Sequence, residues 1–196
     1  MLLTRHWPAV GGDPPWASVL LVHGLGEHSG RYEHVGEALA TAGLDVHAYD
    51  ARGFGGSGGR RAWARDWEQV LDDLAERLAA VREGSGGRPV ALYGHSLGAL
   101  IALDSTLARR PGPDLLVLSA PGLADCIPRW KHVLAPALDR VVPGLRLGNS
   151  VSRDQLAADP APSFAYGDDP LVEERSTVHL GAVSFAAQDR VRELVA

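Results

Sequence analysis

The stretch Val90-Ala91-Leu92-Tyr93-Gly94-His95-Ser96-Leu97-Gly98 decides the fold. Its first five residues have the pattern of a short buried strand, and a helical pattern begins at Ser96. The chain therefore has to turn from strand to helix within one or two residues. So tight a turn leaves no room for a Cβ at its flanks, which explains the glycines at positions 94 and 98. The sequence predicts a serine held at a sharp strand-to-helix joint.

The serine in this turn has the surroundings of a nucleophile. It stands at the head of a helix, where backbone N–H groups and the helix dipole stabilise developing negative charge. A nucleophilic serine also needs an acid and a histidine, which follow it in that order in enzymes built on this turn. The histidines after Ser96 are His132 and His179, and neither follows a strand pattern. We therefore predict that the catalytic acid and histidine are not found in this chain.

The composition is that of a soluble globular domain. The chain has 196 residues, of which 45% are hydrophobic and 22% charged, and its net charge of −5 argues against a nucleic-acid partner. The N-terminus lacks the apolar region of a signal peptide, and no apolar run reaches membrane-spanning length. The single cysteine, Cys126, has no partner for an internal disulfide. We expect a cytoplasmic protein with no stable membrane insertion.

Strand and helix patterns alternate along the first 119 residues. Such alternation predicts an α/β fold with a mainly parallel sheet flanked by helices. Asp66 and Gln69 form a capping-box pattern at the start of one helix. The strand patterns cover Leu2–Trp7, Ser18–Val22, Asp45–Tyr49, Val90–Gly94 and Leu115–Ser119, and the helical patterns cover Arg31–Ala42, Asp66–Gly84 and Ser96–Arg110.

The sequence changes character after Gly122. Residues 123–196 show no convincing strand, and helical patterns dominate them. One helical face carries an apolar set that is either plain core or the face of a lid. We divide the chain into a sheet-containing core at residues 1–121 and a helical cap at residues 122–196. The apolar set consists of Ile127, Trp130, Leu134, Leu138 and Val141.

A second loop has the composition of an oxyanion hole. Such a hole needs two backbone N–H groups that converge on one oxygen. One comes from the residue after the nucleophile, here Leu97. The other comes from the loop after an earlier strand, here Leu25 or Gly26 in the stretch His23–His28. Gly24 allows the backbone of this loop to face the site.

The same loops have competing interpretations. Gly24, Gly26 and Gly30 suggest a dinucleotide fingerprint, but their spacing is one residue too long. Residues 50–57 lack the Gly-Lys-Ser/Thr ending of a phosphate-binding loop, so we predict a structural turn packed beneath the site. A metal cluster is the last alternative; it has no known ligand spacing, so we interpret its residues as solvated and assign no metal or cofactor. Its members would be Glu27, His28, Glu33 and His34.

Together, these motifs resemble the monoacylglycerol lipase branch of the α/β-hydrolases, also called serine aminopeptidase S33. The resemblance rests on His23–Tyr32, Asp50-x-Arg52-Gly53-x-Gly55-x-Ser57, Gly94–Gly98 and Leu118–Pro121. Ser152–Asp154 and Asp169–Val172 look like the cap of the same family. The resemblance implies an α/β-hydrolase fold with a helical cap over an acyl-binding tunnel.

The resemblance also implies roles for individual residues. It makes Ser96 the nucleophile and Leu25 and Leu97 the backbone donors of the oxyanion hole. The implied activity is hydrolysis of a carboxylic ester, above all a monoacylglycerol or similar small lipid ester, through an acyl-serine intermediate. Further substrate contacts are expected from Gly24, Gly26, His95 and Trp130.

The family pattern and this chain differ after the cap. In the family, two further strands lead to the catalytic aspartate and histidine, and no stretch here matches either of them. We therefore expect a C-terminally truncated fold whose last strand, Leu115–Ser119, exposes an edge through which the chain self-associates. The alternative function is a catalytically inactive remnant or binding module that keeps the acyl pocket. We also expect the cap to contact membranes transiently, which would make the protein peripheral to a membrane.

Overall fold

The computed structural model describes residues 1–108, 110–124, 127–149 and 168–195. Five strands form the main sheet: β1 Thr4–Trp7, β2 Ala17–Val22, β3 Leu44–Tyr49, β4 Val90–His95 and β5 Leu115–Ser119. Their order across the sheet is β1-β3-β2-β4-β5. β1 is antiparallel to β3, and every other neighbouring pair is parallel, so the predicted mainly parallel sheet is confirmed.

Helices cover both faces of this sheet. α1 Glu33–Thr41 lies on one face, and α2 Trp67–Gly84 and α3 Leu97–Leu107 lie on the other. α4 Arg129–Val141 packs on α5 Val178–Val195, which in turn packs on α2 and α3. Residues of β2 point alternately to the two faces, and all six are buried. Leu21 packs in one apolar cluster with Ala40 of α1, whereas Leu20 packs in another with residues of α2, α3 and α5. Burial on both faces explains the unbroken apolar run in this part of the sequence.

The helix predicted over Arg31–Ala42 begins later than expected. A 3₁₀ turn over Ser29–Tyr32 comes first, and the side chain of His28 caps it by accepting from Gly30 N. Only then does α1 begin, at Glu33. The His28 side chain thus satisfies an N–H group in the first turn of the segment, which favours the tighter 3₁₀ form there.

The prediction that residues 123–196 contain no strand is wrong. Arg146–Gly148 (β6) and Arg175–Thr177 (β7) pair in antiparallel fashion as a small second sheet. Each strand has three residues, which are too few to show the alternation that identifies a strand in sequence. The helical patterns expected in this segment correspond to α4 and α5.

The apolar face of α4 is exposed. Trp130 is 61% exposed, Leu134 43% and Val141 78%. The interpretation of these three residues as plain core is therefore wrong, and the face is open in the described part of the chain. An exposed apolar face of this kind marks a surface that contacts something apolar.

α5 packs against the helices of the core. Its residues Ala187 and Val191 lie in the same apolar cluster as Leu100 of α3, and Gln188 Nε2 donates to Gly122 O over 2.9 Å. The division into a core at 1–121 and a cap at 122–196 stays a prediction, with α5 packed on the core. No helix in the described ranges is long and apolar enough to cross a bilayer. Cys126 and the motif Ser152–Asp154 lie outside the described residues.

Candidate active site

Ser96 occupies the turn between β4 and α3 with strained backbone angles. Its φ of +52° and ψ of −114° lie in a region that residues with a side chain rarely adopt. The positions on either side of the turn have no room for a side chain. A Cβ on Gly94 would stand 2.5 Å from the carbonyl oxygen of Gly98, and one on Gly98 would stand 2.3 Å from that of Val22. Both positions therefore require glycine, as the sequence predicts.

Hydrogen bonds hold the backbone of Ser96 from two sides. Its N–H donates to Ser119 O at the end of β5 over 2.9 Å. Its carbonyl accepts from Gly122 N over 3.1 Å, and it also accepts the N–H groups of Ala99 and Leu100 in the first turn of α3. The neighbouring strand and the helix thus fix a backbone conformation that an isolated peptide would not keep.

The loop that follows β2 lies directly against this turn. A Cβ on Gly24 would stand 3.3 Å from the Cβ of Ser96 and 3.4 Å from Cδ2 of His95. Two residues further on, Gly26 adopts a left-handed φ of +77°. The two segments that the sequence assigns to one site are therefore in contact.

Glu27 fixes the conformation of the loop after β2. Its Oε2 accepts the N–H of Gly24 over 3.2 Å and the O–H of Tyr32 over 2.7 Å. Burial and the Glu27 carboxylate raise the pKa of Tyr32, so the phenol remains a hydrogen-bond donor. The interpretation of Glu27 as a solvated residue is wrong, because the carboxylate is half-buried and holds two donors.

His23 links the same loop to the chain after β3. Ala51 N donates to its Nε2 over 2.8 Å, so Nδ1 carries the proton and donates to Gly24 O over 2.8 Å. The ring is buried, and burial lowers the pKa of His23, which keeps the imidazole neutral. With both nitrogens engaged, this ring is a structural link between two loops.

Asp50 organises the glycine-rich turn of residues 50–57. Its Oδ1 accepts the N–H and O–H of Ser29 over 2.7 Å and 2.5 Å, and its Oδ2 accepts the N–H of Gly56 over 2.8 Å. Burial by itself would raise the pKa of Asp50, but these hydrogen bonds outweigh it and hold the pKa below its ordinary value. The prediction that these residues form a structural turn agrees with this arrangement.

The two N–H groups predicted to form the oxyanion hole are available as donors. Leu97 is the first residue of α3, so its N–H has no acceptor within the helix. Neither this N–H nor that of Leu25 donates to another residue of the described ranges. Unengaged backbone donors next to a serine are what an oxyanion hole requires.

The two histidines that follow the serine in the chain have other partners. His179 Nδ1 faces Asp139 Oδ1 at 2.9 Å, and its Nε2 faces the carbonyl oxygen of Arg65 at 3.0 Å. His132 stacks on Phe185, with ring centroids 4.0 Å apart. Among the described residues, no histidine forms a hydrogen bond with the serine hydroxyl. The prediction that the acid and histidine are absent from this chain remains a prediction.

His95 also has a partner of its own. Although it precedes Ser96, its ring turns toward β5, where Nδ1 lies 3.1 Å from Ser119 Oγ. The ring also lies near Tyr32, with centroids 6.2 Å apart. Its role as a substrate contact stays a prediction.

Residues 168–177 close onto the loop after β2. Asp169 accepts from His28 Nε2 over 2.7 Å, and Glu173 N donates to Gly26 O over 2.8 Å. The interpretation of His28 as solvated is wrong, because the residue is 5% exposed. Its partner is 141 residues away in the sequence, so no local pattern could have indicated this contact.

A small, largely apolar cavity adjoins the turn on the side of Leu97. Phe54, Trp63 and Leu180 are among the side chains that line it, so it lies between α5 and the chain that follows β3. Trp130, which the sequence assigns to substrate binding, does not line this cavity and is exposed on α4.

Comparisons with known proteins agree with this fold. A sequence model of the family described as serine aminopeptidase, S33, matches residues 13–196. The monoacylglycerol lipase of Mycolicibacterium smegmatis is 35% identical over 161 residues, which cover 81% of this chain and 57% of that protein. A monoglyceride lipase homolog of Monkeypox virus is 32% identical over 200 residues, with 97% of this chain and 69% of the viral protein covered.

A solved structure gives the same result. The crystal structure of the monoacylglycerol lipase of Paleococcus ferrophilus matches with a TM-score of 0.86 and 33% identity, over 98% of this chain and 72% of that one. The chain thus spans little more than half of the bacterial relative and about seven tenths of the other two. The family match, the relatives and the fold show that this chain belongs to the serine aminopeptidase S33 family of α/β-hydrolases, in the branch of the monoacylglycerol lipases.

Proposed function

We propose that this chain acts in carboxylic ester hydrolysis, with Ser96 as the nucleophile. The observation that supports this most is the strained turn between β4 and α3, which holds Ser96 at the head of the helix. In the proposed reaction, the serine oxygen attacks the ester carbonyl, the alcohol leaves with a proton, and an acyl-serine forms. Water then attacks the acyl-serine and releases the carboxylic acid.

The backbone N–H groups of Leu25 and Leu97 are the proposed donors to the oxyanion. The loop after β2 and the turn of Ser96 are in contact at Gly24, which supports their convergence on one substrate oxygen. Glu27 and His23 fix this loop from both sides of Gly24. Donors held in place before the reaction cost no reorganisation, and each contributes on the order of 10²–10³ in rate.

A monoacylglycerol or a similar small lipid ester is the proposed substrate. The small cavity beside Leu97 is lined by apolar side chains apart from Arg52 and Asp73, which pair with each other, so its lining supports contact with apolar parts of a substrate. The relatives reported above include monoacylglycerol lipases. The exposed apolar face of α4 supports transient contact with the membrane where such lipids reside.

A second candidate is an acyl-binding module without turnover. It is favoured by His95, His132 and His179, whose rings contact Ser119, Phe185 and Asp139. Without a general base, the serine hydroxyl stays protonated and attacks slowly. Loss of the base in serine hydrolases lowers kcat by about 10⁴–10⁶.

A fluorophosphonate probe and a monoacylglycerol assay together test these proposals. Mass spectrometry of the labelled 196-residue chain should place the adduct on Ser96, and S96A should abolish labelling. S184A is the matched control and should label normally, because Ser184 donates to Leu180 O within α5. Labelling that persists in S96A would overturn the assignment of the nucleophile.

The ester assay then separates the two candidates. Turnover within about tenfold of the M. smegmatis relative, lost in S96A, would show that the chain has a working base and is a lipase. Turnover lower by about 10⁴ or more, with labelling of Ser96 slowed as well, would support the acyl-binding module.

A further inference from the structure

Two histidines and an aspartate come together on the edge of the main sheet, away from Ser96. β1 runs antiparallel to β3, and the pairing register sets His6 directly opposite His47. Asp45 lies two residues before His47 on β3, so both side chains project from the same face of the sheet. The sequence does not indicate this cluster, because His6 is 39 residues from Asp45 and only strand pairing brings them together.

The three side chains already point at one another. His6 Nε2 lies 2.7 Å from Asp45 Oδ1, and His47 Nε2 lies 2.9 Å from Asp45 Oδ2. The two imidazole rings stack with centroids 4.4 Å apart and an angle of 7° between their planes. All three prospective ligand atoms lie within 4.8 Å of one another.

We propose that His6, Asp45 and His47 bind a divalent transition-metal ion of the Zn²⁺ class. Two imidazole nitrogens and a carboxylate oxygen are ligands that Zn²⁺, Cu²⁺ and Ni²⁺ accept, whereas Mg²⁺ and Ca²⁺ prefer oxygen alone. With three protein ligands, solvent completes the coordination.

The geometry requires only small adjustments. Zn²⁺ lies about 2.0–2.1 Å from its nitrogen and oxygen ligands, so tetrahedral ligands stand about 3.3 Å apart. The nitrogen–oxygen separations of 2.7 and 2.9 Å, which join the two histidines to different oxygens of Asp45, therefore need to open by about half an ångström, and the remaining separation among the ligand atoms, at most 4.8 Å, has to reach the same distance. One ring must also tilt out of the parallel stack, and the side chain of His6, which is 50% exposed on an edge strand, has room to do so.

The charge of the cluster suits a cation. The ion pairs of Asp45 within the described ranges are those with the two histidines, so no lysine or arginine competes for the carboxylate there. Asp45 and His47 are only partly exposed, which limits the freedom of two of the three ligands before the ion arrives. Ligands that are already ordered lose less entropy on binding.

The bound ion would cross-link β1 and β3. β1 lies at the edge of the sheet and pairs with β3 there. A metal shared by His6 on β1 and Asp45 and His47 on β3 would join the two strands and stabilise the folded state by mass action. Asp45 pairs with Ser18, which in turn pairs with Val90 at the start of β4, so the cluster lies at the opposite end of the strands from Ser96. Metal binding is thus separable from ester chemistry.

Calorimetric titration of the full chain with Zn²⁺ tests the proposal. We expect one saturable site whose Kd rises about tenfold or more in H6A and in H47A, a loss at least as large as that from removing an outer-shell partner. H34A is the matched control and should bind as the unaltered chain does, because His34 lies exposed on α1 outside the cluster. Co²⁺ should give visible absorption in the unaltered chain and in H34A, but not in H6A or H47A.

Thermal unfolding provides a second readout. Zn²⁺ should raise the Tm of the unaltered chain and of H34A and leave that of H6A unchanged. If H47A does not fold, H6A decides the question, because a half-exposed edge residue is dispensable for folding. Absence of saturable Zn²⁺ binding, or equal affinity in H6A and the unaltered chain, would overturn the proposal.

Discussion

The backbone of Gly24 lies against Ser96, so closely that a Cβ on Gly24 would stand 3.3 Å from the Cβ of Ser96. A methyl group at that distance would be closer than ordinary van der Waals contact, and both residues are held in place. Ser96 is fixed by the strained turn, and Gly24 is fixed by hydrogen bonds from its N–H to Glu27 and from His23 to its carbonyl. The distance between the proposed nucleophile and the proposed oxyanion loop is therefore set by the fold.

Substituting Gly24 with alanine should displace the loop from Ser96. The added methyl group has to push away the serine, the His95 ring or the Glu27 carboxylate. We expect G24A to slow fluorophosphonate labelling of Ser96 by about threefold, since the neighbours must shift by a few tenths of an ångström and a misplacement of about 1 Å costs up to 10² in rate. G12A is the control, because Gly12 has open space around it. Equal labelling rates in both variants would contradict the close approach.

Replacing Tyr32 with phenylalanine should loosen the same loop without changing its shape. The phenol of Tyr32 and the N–H of Gly24 both donate to Glu27 Oε2, the phenol over 2.7 Å. The substitution removes the first of these hydrogen bonds and keeps the second. Hydrogen bonds to a charged group contribute about 1.5–3 kcal/mol, so we expect Y32F to lower the free energy of unfolding by about that amount. Urea denaturation measures it. A loss within error of zero would show that the contact does not stabilise the loop.

Asp50 should make stability depend on pH. Because its folded pKa is depressed, the carboxylate stabilises the fold fully above the unfolded pKa of about 3.9, and this contribution is lost as the pH falls through the folded pKa. D50N should destabilise the protein at neutral pH by about 1–3 kcal/mol, because the amide cannot accept from both loops at once. The difference between D50N and the unaltered chain should shrink below about pH 3.9.

D13N is the control for this pH dependence, because Asp13 lies exposed in the turn before β2. It should unfold like the unaltered chain at every pH. A D50N defect that stays constant down to the acid limit would show that the ionised form of Asp50 contributes nothing.

Much of the fold follows from local sequence patterns. The run Ser18–Val22 is apolar throughout because β2 is buried on both faces, and its pattern is therefore visible without a partner. The cap of α2 is equally local, since Asp66 Oδ1 accepts from Gln69 N over 2.8 Å. The strands β6 and β7 were missed because three residues contain no period and their pairing spans 27 or more residues.

The candidate site also combines features that the local sequence predicts with features that it does not. The turn at Ser96 is predictable because sterics require glycine at two fixed positions around the serine. The partner of His28 is not, since Asp169 reaches it across 141 residues. Glu27 was misjudged for a related reason: an acidic side chain in a loop is usually solvated, and only the folded loop shows that it holds Gly24 and Tyr32.

The Glu173 side chain should stabilise the contact between residues 168–177 and the loop after β2. Its carboxylate binds the side chains of Arg61, over 2.8 Å, and Arg146, while its N–H donates to Gly26 O. Burial by itself would raise the pKa of Glu173, but the two arginines outweigh it and lower that pKa. We expect E173Q to weaken this closure by about 1 kcal/mol, because all three side chains are partly exposed.

Hydrogen exchange at the amide of residue 173 reads this closure directly. Its exchange should accelerate about fivefold in E173Q, which corresponds to about 1 kcal/mol of local opening. E83Q removes the same charge from the exposed end of α2 and should leave that amide unchanged. Unaltered exchange in E173Q would show that the ion pairs do not hold the segment.

The edge of the sheet at β5 exposes apolar side chains. Leu116 and Leu118 pack toward the core, so Leu115 and Val117 face the other side of the sheet, where they are 61% and 37% exposed. α1 covers that side over β2 and β3, but no helix of the described ranges covers it at β5. Within those ranges, β4 is the sole neighbour of β5, so the outer N–H and C=O groups of β5 are open to another strand.

An open strand edge next to an apolar face favours association between chains. We expect the 196-residue chain to elute from size-exclusion chromatography as oligomers whose proportion rises with concentration. L115K should shift it toward monomer, because a lysine on an edge strand opposes pairing with a second edge. V10K adds the same charge at an equally exposed residue of the turn before β2 and should leave the elution unchanged. A monodisperse monomer at every concentration would show that this edge does not pair, and an equal effect of L115K and V10K would show that net charge, and not the edge, governs association.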